Sequence, residues 1–226
     1  MNLKITLPHY PTRWARHADL IVHMVGLAFA LFGGGVALGL AVSHGLIGKV
    51  AAVIVYAVGM TAMLAFSAAY NFARPDWRPF LRRLDHAGIF LMIAASYTPF
   101  TTQALSGGWA WGMSIAVWVA AGLGILIKLL LPGRYSQSGW GRALSIGLYL
   151  ALGWVVVVAL KPLIDAVPPA AMILLALGGV VYSVGTIFYA MKRLTFRRAI
   201  WHGHVITGAV LQYVAVLVGV VLTATK

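Results

Sequence analysis

The chain has 226 residues, 62% hydrophobic and 9% charged, with a mean hydropathy of +0.92. A water-soluble fold of this length has too little interior to hide that much apolar surface, so composition excludes one and implies an integral membrane protein. Four acids (Asp19, Asp76, Asp85, Asp165) against 17 Lys and Arg give a formal charge of +13, read as basic loops facing anionic lipid rather than nucleic acid; the lack of cysteine excludes disulfides and thiolate metal sites.

In chain order, apolar runs lie at about 18–42, 47–70, 85–105, 109–131, 143–161, 168–190 and 199–223. Each meets the roughly 20 residues that a bilayer span needs. They predict an all-α membrane protein, a seven-transmembrane-helix bundle occupying 1–226 as one domain. The connections are short, and neither an internal repeat nor a low-complexity tract interrupts them. The first run is too long for a signal-peptide core, and AVS at 41–43 is read as a helix end rather than a cleavage tripeptide. The GGG at 33–35 suits close helix contact.

Orientation follows from the basic residues. The N-terminal tail and the loops after the second, fourth and sixth runs hold 14 of them: Lys4, Arg13, Arg16, Arg74, Arg78, Arg82, Arg83, Lys128, Arg134, Arg142, Lys192, Arg193, Arg197 and Arg198. The other side holds three, Lys49, Lys161 and Lys226. The positive-inside rule then puts the N-terminus in the cytoplasm and the C-terminus outside, in the inner (plasma) membrane.

That orientation assigns depth. The first run begins at the cytoplasmic side with Asp19 and His23, four apart and so on one helix face. The second ends there in SAAYN, with Ser67 and Asn71 in the same register. The third begins there in RRLDH, with Asp85 and His86, and the seventh in RAIWH, with Arg198 and His202. Polar side chains do not face hydrocarbon cheaply, so four helices are expected to turn these eight residues into one shared polar cavity. Each also has a plainer reading. Asp19, His23 or Asp85 could be a helix cap or an interhelical tie. Arg82, Arg83, Arg193 and Arg197 read as solvated or lipid-facing charges, and Arg198 alone could be another. His204 sits about 200° from His202 and reads as interfacial. His9, His17 and His44 lie in a tail or loop and carry no signal.

At these residues the chain resembles the hemolysin III family, the bacterial branch of the progestin and adiponectin receptor superfamily. The resemblance covers essentially the whole chain and is most specific at SAAYN, at RRLDHAGIFLMIAASYTPF (82–100) and at AIWH (199–202). The Asp19/His23 pair resembles an early motif in which an asparagine usually precedes the histidine by four. The resemblance implies a zinc site in the cytoplasmic layer, held by three histidines and, through water, by an aspartate. Such a site suits a zinc-activated water that hydrolyses a lipid amide, as in ceramidase-like relatives. Carried over, Ser67 matches the family serine, Asp85 the aspartate and His202 one histidine. Asn71 and Arg198 stand where the other two histidines belong.

Asparagine is a weak zinc ligand, and arginine has no lone pair to offer. No metal or other cofactor is therefore expected; if any metal binds, His202 with Asp85 would hold it. Ser67 and Asp85 remain the catalytic candidates, and enzymatic activity stays open. Arg198 is expected to replace the metal, its fork on Asp85 and its remaining donors on Asn71, with His202 completing the network. The plainer alternative turns Arg198 to the headgroups. The expected function is membrane-lipid homeostasis or sensing, with membrane lipid or a lipid-like ligand as partner and no nucleic acid. The alternatives are a lipid-amide hydrolase and, last, a pore-forming cytolysin. The last run has no internal lysine for a retinal Schiff base. His23, His86 and His202 share one layer without a coaxial pair for haem. Oligomeric state is not legible.

Overall fold

The computed structural model describes residues 9–43, 47–131 and 138–223. Among the described residues the chain forms eight helices: α1 (Arg13–Ser43), α2 (Ile47–Phe72), α3 (Arg78–Gln103), α4 (Gly107–Leu130), α5 (Gly139–Gly153), α6 (Leu160–Ala166), α7 (Pro169–Ala190) and α8 (Arg197–Val216). Short 3-10 turns stand at Pro75–Trp77 and Val155–Ala159, and α8 closes in a π turn at Leu217–Val221. There is no strand among the described residues. The reason is the solvent: lipid cannot satisfy an open backbone, and a helix bonds its own.

Among the described residues, six helical stretches are long and apolar enough to cross a membrane, with α5 and α6 counted together over Gly139–Ala166. The run expected at 85–105 is helical as α3, but it is more polar than the other six. It tolerates that polarity because it is packed between α2 and α4, and its hydroxyls bond back to its own carbonyls. Ser96 donates to Ile93 at 2.8 Å, Thr98 to Ala94 at 3.0 Å and Thr102 to Thr98 at 2.7 Å.

The expected single helix at 143–161 is broken. α5 stops at Gly153, and the run Val155–Val158 winds as a 3-10 turn before α6 begins. Glycine and a β-branched run are poor helix formers, but a break inside a membrane also frees backbone groups that need partners. Tyr97 of α3 supplies them. Its hydroxyl donates to the carbonyls of Gly153 (2.7 Å) and Leu152 (3.2 Å) and accepts from the amide of Val156 (2.9 Å).

The interior is densest where α1, α2, α3 and α8 meet, around the fully buried Val53, Tyr56 and Met60. Small residues allow that approach. A Cβ placed on Gly59 of α2 would stand 2.4 Å from the Cβ of Ala95 on α3, so only hydrogen fits. By contrast α5 buries only Ser145 and Leu152, and α7 only Ala171, Gly178 and Gly185. These two helices stand off from α3 and leave a cavity.

Candidate functional site

Where α1, α3 and α8 begin and α2 ends, the polar residues converge. Asp19, one turn and a half into α1, is fully buried, and its carboxylate is the centre of the network. One oxygen accepts from His202 Nδ1 at 2.6 Å, and the other accepts from the Tyr10 hydroxyl at 2.5 Å. His23 lies one turn below on the same face. Its Nδ1 is 2.8 Å from the Asp19 backbone carbonyl, which can only accept, so that nitrogen carries the proton. His23 Nε2 is then the acceptor for the Ser67 hydroxyl of α2, at 3.2 Å. Ser67 Oγ also lies 3.4 Å from His202 Nε2, and the rings of His23 and His202 meet edge-on at 4.3 Å.

One turn along α2, Asn71 anchors itself by donating from Nδ2 to the Ser67 carbonyl at 2.9 Å. Its side-chain oxygen accepts from Arg198 Nη1 at 2.8 Å and from His9 Nε2 at 3.1 Å. His9 thus holds its proton on Nε2 and presents Nδ1 to Arg198 Nη2, 3.3 Å away. Burial and the neighbouring Arg198 charge lower the His9 pKa to about 4, which keeps the ring neutral at pH 7. Burial, with the bond to Asp19, raises the Tyr10 phenol above its ordinary value. Residues 9 and 10 therefore form a strap over the polar layer. His9 rests edge-on against Tyr70 at 5.3 Å, Tyr10 stacks on Phe72 at 6.1 Å, and the Arg198 guanidinium sits 5.5 Å over the Tyr10 ring.

Several sequence expectations need correction. The Arg198–Asp85 ion pair is not formed: among the described residues, ion pairs within 4.0 Å join Asp19 to His23 and to His202, and Lys161 to Asp165. The fork of Arg198 is taken by Asn71 and His9 instead, and its face by Tyr10. Asp85 lies on the wall of the adjoining cavity beside Ser67 and His202. The tail histidine His9 does carry a signal, as does Tyr10; neither has a helical period that sequence reading could have caught. His17 is exposed on α1 against Trp14, and His44 falls outside the described residues. His86 is buried, with Nδ1 unpartnered, and belongs to the cavity rather than to the Asp19 network. His204 bonds the Ile200 carbonyl at 2.8 Å and packs on Phe188.

The residues present do not fit the three-histidine zinc set. Asn71 Oδ1 already accepts two donors, one of them the guanidinium that stands at the second histidine position. Among the described residues, the compact group of ligand-type atoms is a different one from His202 with Asp85. Asp19, His23 and His202 each offer an atom, all within 4.8 Å of one another, and this triad is a candidate metal group. Its carboxylate, however, has both oxygens engaged by protons of His202 and Tyr10.

Beside this layer a cavity of about 160 Å³ opens between α3, α5, α7 and α8, with Ser67, Asp85, His86 and His202 at its polar end. A second, of about 120 Å³, continues it toward Leu105, Met113 and Leu163. The two share Ser96, Tyr97, Gly153, Trp154, Gly179 and Gln212, so they abut along the depth of the bundle.

The family model described as Haemolysin-III related matches residues 17–213, from within α1 to within α8. Among similar proteins, Hemolysin-3 of Bacillus cereus is 32% identical over 209 residues, covering 92% of this chain and 93% of that one. The Hemolysin-3 homolog of Bacillus subtilis (strain 168) is 31% identical over 201 residues, 88% and 92% of the two chains. The human monocyte to macrophage differentiation factor is 27% identical over 173 residues, 72% of this chain and 67% of that one. With a family match through nearly all its helices and relatives above 30% identity along nearly their whole length, the chain belongs to the haemolysin-III related family and is an integral, multi-pass membrane protein.

Proposed function

We propose that this chain is a seven-span inner-membrane protein, N-terminus in the cytoplasm and C-terminus outside, that serves membrane-lipid homeostasis or sensing. In this reading Arg198 and Asn71 occupy the place where the resemblance implies zinc. One observation carries it: the two residues that depart from the three-histidine set are bonded to each other at 2.8 Å. A cation and its acceptor fill the gap that a metal and two imidazoles would leave. The 14-to-3 distribution of Lys and Arg supports the orientation. The stacked cavities, walled mostly by apolar side chains and polar at one end, support a lipid-like ligand.

A lipid-amide hydrolase is less favoured. Ser67 is held between two imidazoles, but the donor set that would activate a water at the family position is broken at two of its three histidines. A cytolysin finds no support beyond the names of the bacterial relatives. The second reading with an observation behind it is a metal on Asp19, His23 and His202, whose ligand atoms lie within 4.8 Å.

Metal analysis of the purified full-length protein separates these. The first reading expects clearly less than one zinc per chain in the native protein. It also expects zinc to appear in Asn71→His with Arg198→His, which rebuilds the set around His202. Zinc at one per chain in the native protein, lost in Asp19→Ala, would establish the second reading and overturn the first.

A further inference from the structure

Ser67 of α2 holds its hydroxyl between two imidazoles, and one of these leads on to a carboxylate. Ser67 Oγ is 3.4 Å from His202 Nε2, and His202 Nδ1 donates to Asp19 Oδ1 at 2.6 Å. Hydroxyl, imidazole and carboxylate are thus strung in one chain through opposite ring nitrogens, each residue from a different helix. That order is how a serine becomes a nucleophile: the imidazole takes the hydroxyl proton, and the carboxylate orients the ring and stabilises the imidazolium. The arrangement is defined by geometry and roles rather than by sequence position, so three helices of a bundle can supply it.

The details suit those roles. The bond to Asp19 fixes the His202 proton on Nδ1 and leaves Nε2 free to accept. At rest the Ser67 hydroxyl donates to His23 Nε2 at 3.2 Å, and a turn about its Cβ–Oγ bond swings the proton to His202. A separation of 3.4 Å is long for that bond, as catalytic contacts commonly are before substrate binds. Asn71 Nδ2 gives one proton to the Ser67 carbonyl at 2.9 Å and lies 3.5 Å from Ser67 Oγ. Its other proton is therefore placed near the negative oxygen that forms on attack. Ser67 and His202 both line the larger cavity, where Met63, Leu64, Val205 and Ile206 make the neighbouring wall apolar.

We propose that Asp19, His202 and Ser67 form a metal-independent triad that cleaves carboxylic esters through an acyl-serine. Ser67 Oγ attacks the ester carbonyl carbon as its proton passes to His202 Nε2. The bond from that carbon to the alcohol oxygen breaks, and the alcohol leaves with the proton from His202. Water then attacks the acyl-serine and gives a proton to His202, which returns it to Ser67 Oγ as the carboxylic acid departs. An ester suits the site better than an amide, since an alcohol leaves more readily than an amine and Asn71 is only a neutral donor for the oxyanion. The activity goes beyond lipid homeostasis or sensing, and it rests on the reading that no metal occupies this layer.

Full-length protein in a neutral detergent, with zinc measured on the same sample, tests it with two probes. An alkyl fluorophosphonate bonds an activated serine as fluoride leaves, and p-nitrophenyl butyrate releases a coloured phenolate when hydrolysed. The fluorophosphonate should add once per chain, at Ser67 by peptide mass mapping, in metal-poor protein and at the same rate with a chelator present. Ser67→Ala should lose both the label and the ester hydrolysis. Asp19→Asn, which keeps an acceptor for His202 Nδ1 but removes the charge, should slow labelling at least about 100-fold, the lower end of what a general base contributes. An unchanged rate in that variant would overturn the triad; should the variant fail to fold, the native chain decides alone. Metal-poor native protein without label at Ser67 would overturn the triad but leave Arg198 in the place of the metal. One zinc per chain with Ser67 unlabelled would overturn both. Labelling that the chelator abolishes would assign the activation of Ser67 to a metal and overturn the triad. Label without ester turnover would show a reactive serine and overturn the reaction.

Discussion

Arg198 of α8 donates to the side-chain oxygen of Asn71 on α2 across 2.8 Å, and this bond joins the two helices at the level where the family resemblance places a metal. It is a charged donor on a buried neutral acceptor that is itself fixed by the Ser67 carbonyl at 2.9 Å. A double-mutant cycle of Arg198→Met and Asn71→Leu should give a coupling of about 1.5–3 kcal/mol in detergent denaturation, the range for hydrogen bonds to charged groups. Coupling near zero would mean that the guanidinium gains nothing from Asn71 over water.

Asp19 should be the most sensitive position of the site. Asp19→Ala leaves His202, Tyr10 and the strap without an acceptor at full burial, at a cost of about 3–5 kcal/mol. Asp19→Asn should cost far less, since an amide oxygen can still accept from His202 Nδ1 and its nitrogen can donate to the Tyr10 oxygen. Asparagine is also the residue that the resemblance implies for that position. Thermal unfolding of the two variants decides: equal loss would show that the negative charge, not the hydrogen-bond pattern, is what the network needs.

Much of this was legible in the sequence, for a physical reason. Spans that face lipid must be long and apolar, so the runs located the helices. Four-residue spacing set Asp19 with His23, and Ser67 with Asn71, on single faces. What escaped was tertiary choice. Nothing local in Arg198 says that its fork is taken by Asn71 and His9 rather than by Asp85, because that depends on a tail folding back. The break after Gly153 depends on Tyr97, some 55 residues away in sequence, whose hydroxyl makes the freed backbone groups tolerable.

That role of Tyr97 gives a third prediction. Tyr97→Phe keeps the ring but strands the carbonyl of Gly153 and the amide of Val156. The loss should be about 1–3 kcal/mol for polar groups left unsatisfied away from water. Hydrogen exchange should accelerate at 153–157 and not in α2. Unchanged exchange there would show that water or lipid headgroups already satisfy the break.

Topology has its own test. A reporter fused after Lys226 should read as outside the cytoplasm, and one inserted near Arg134 as inside. A cytoplasmic C-terminus would mean that α3, the least apolar of the long helices, does not cross, and the placement of the polar layer at the cytoplasmic face would fall with it.

The strap should be released by acid. His9 titrates at about 4 in the folded protein against 6.5 when free, because burial and the Arg198 charge disfavour its cationic form. The groups around it are Asn71, Arg198 and Arg78, with the Asp19 carboxylate as the opposing influence. Between those two values the released strap binds more protons than the docked one, so docking is strongest above pH 6.5 and weakens as pH falls toward 4. Cationic His9 would also lose Nδ1 as an acceptor for Arg198 and set two positive groups at 3.3 Å. Hydrogen exchange at residues 9–12 should therefore quicken progressively from pH 7 to pH 4 after correction for the intrinsic rate. His9→Gln, which keeps an oxygen for Arg198 and an amide donor for Asn71, should flatten that dependence. An acid release that persists in His9→Gln would place the titrating group elsewhere, with the Asp19–His202 pair the next to test.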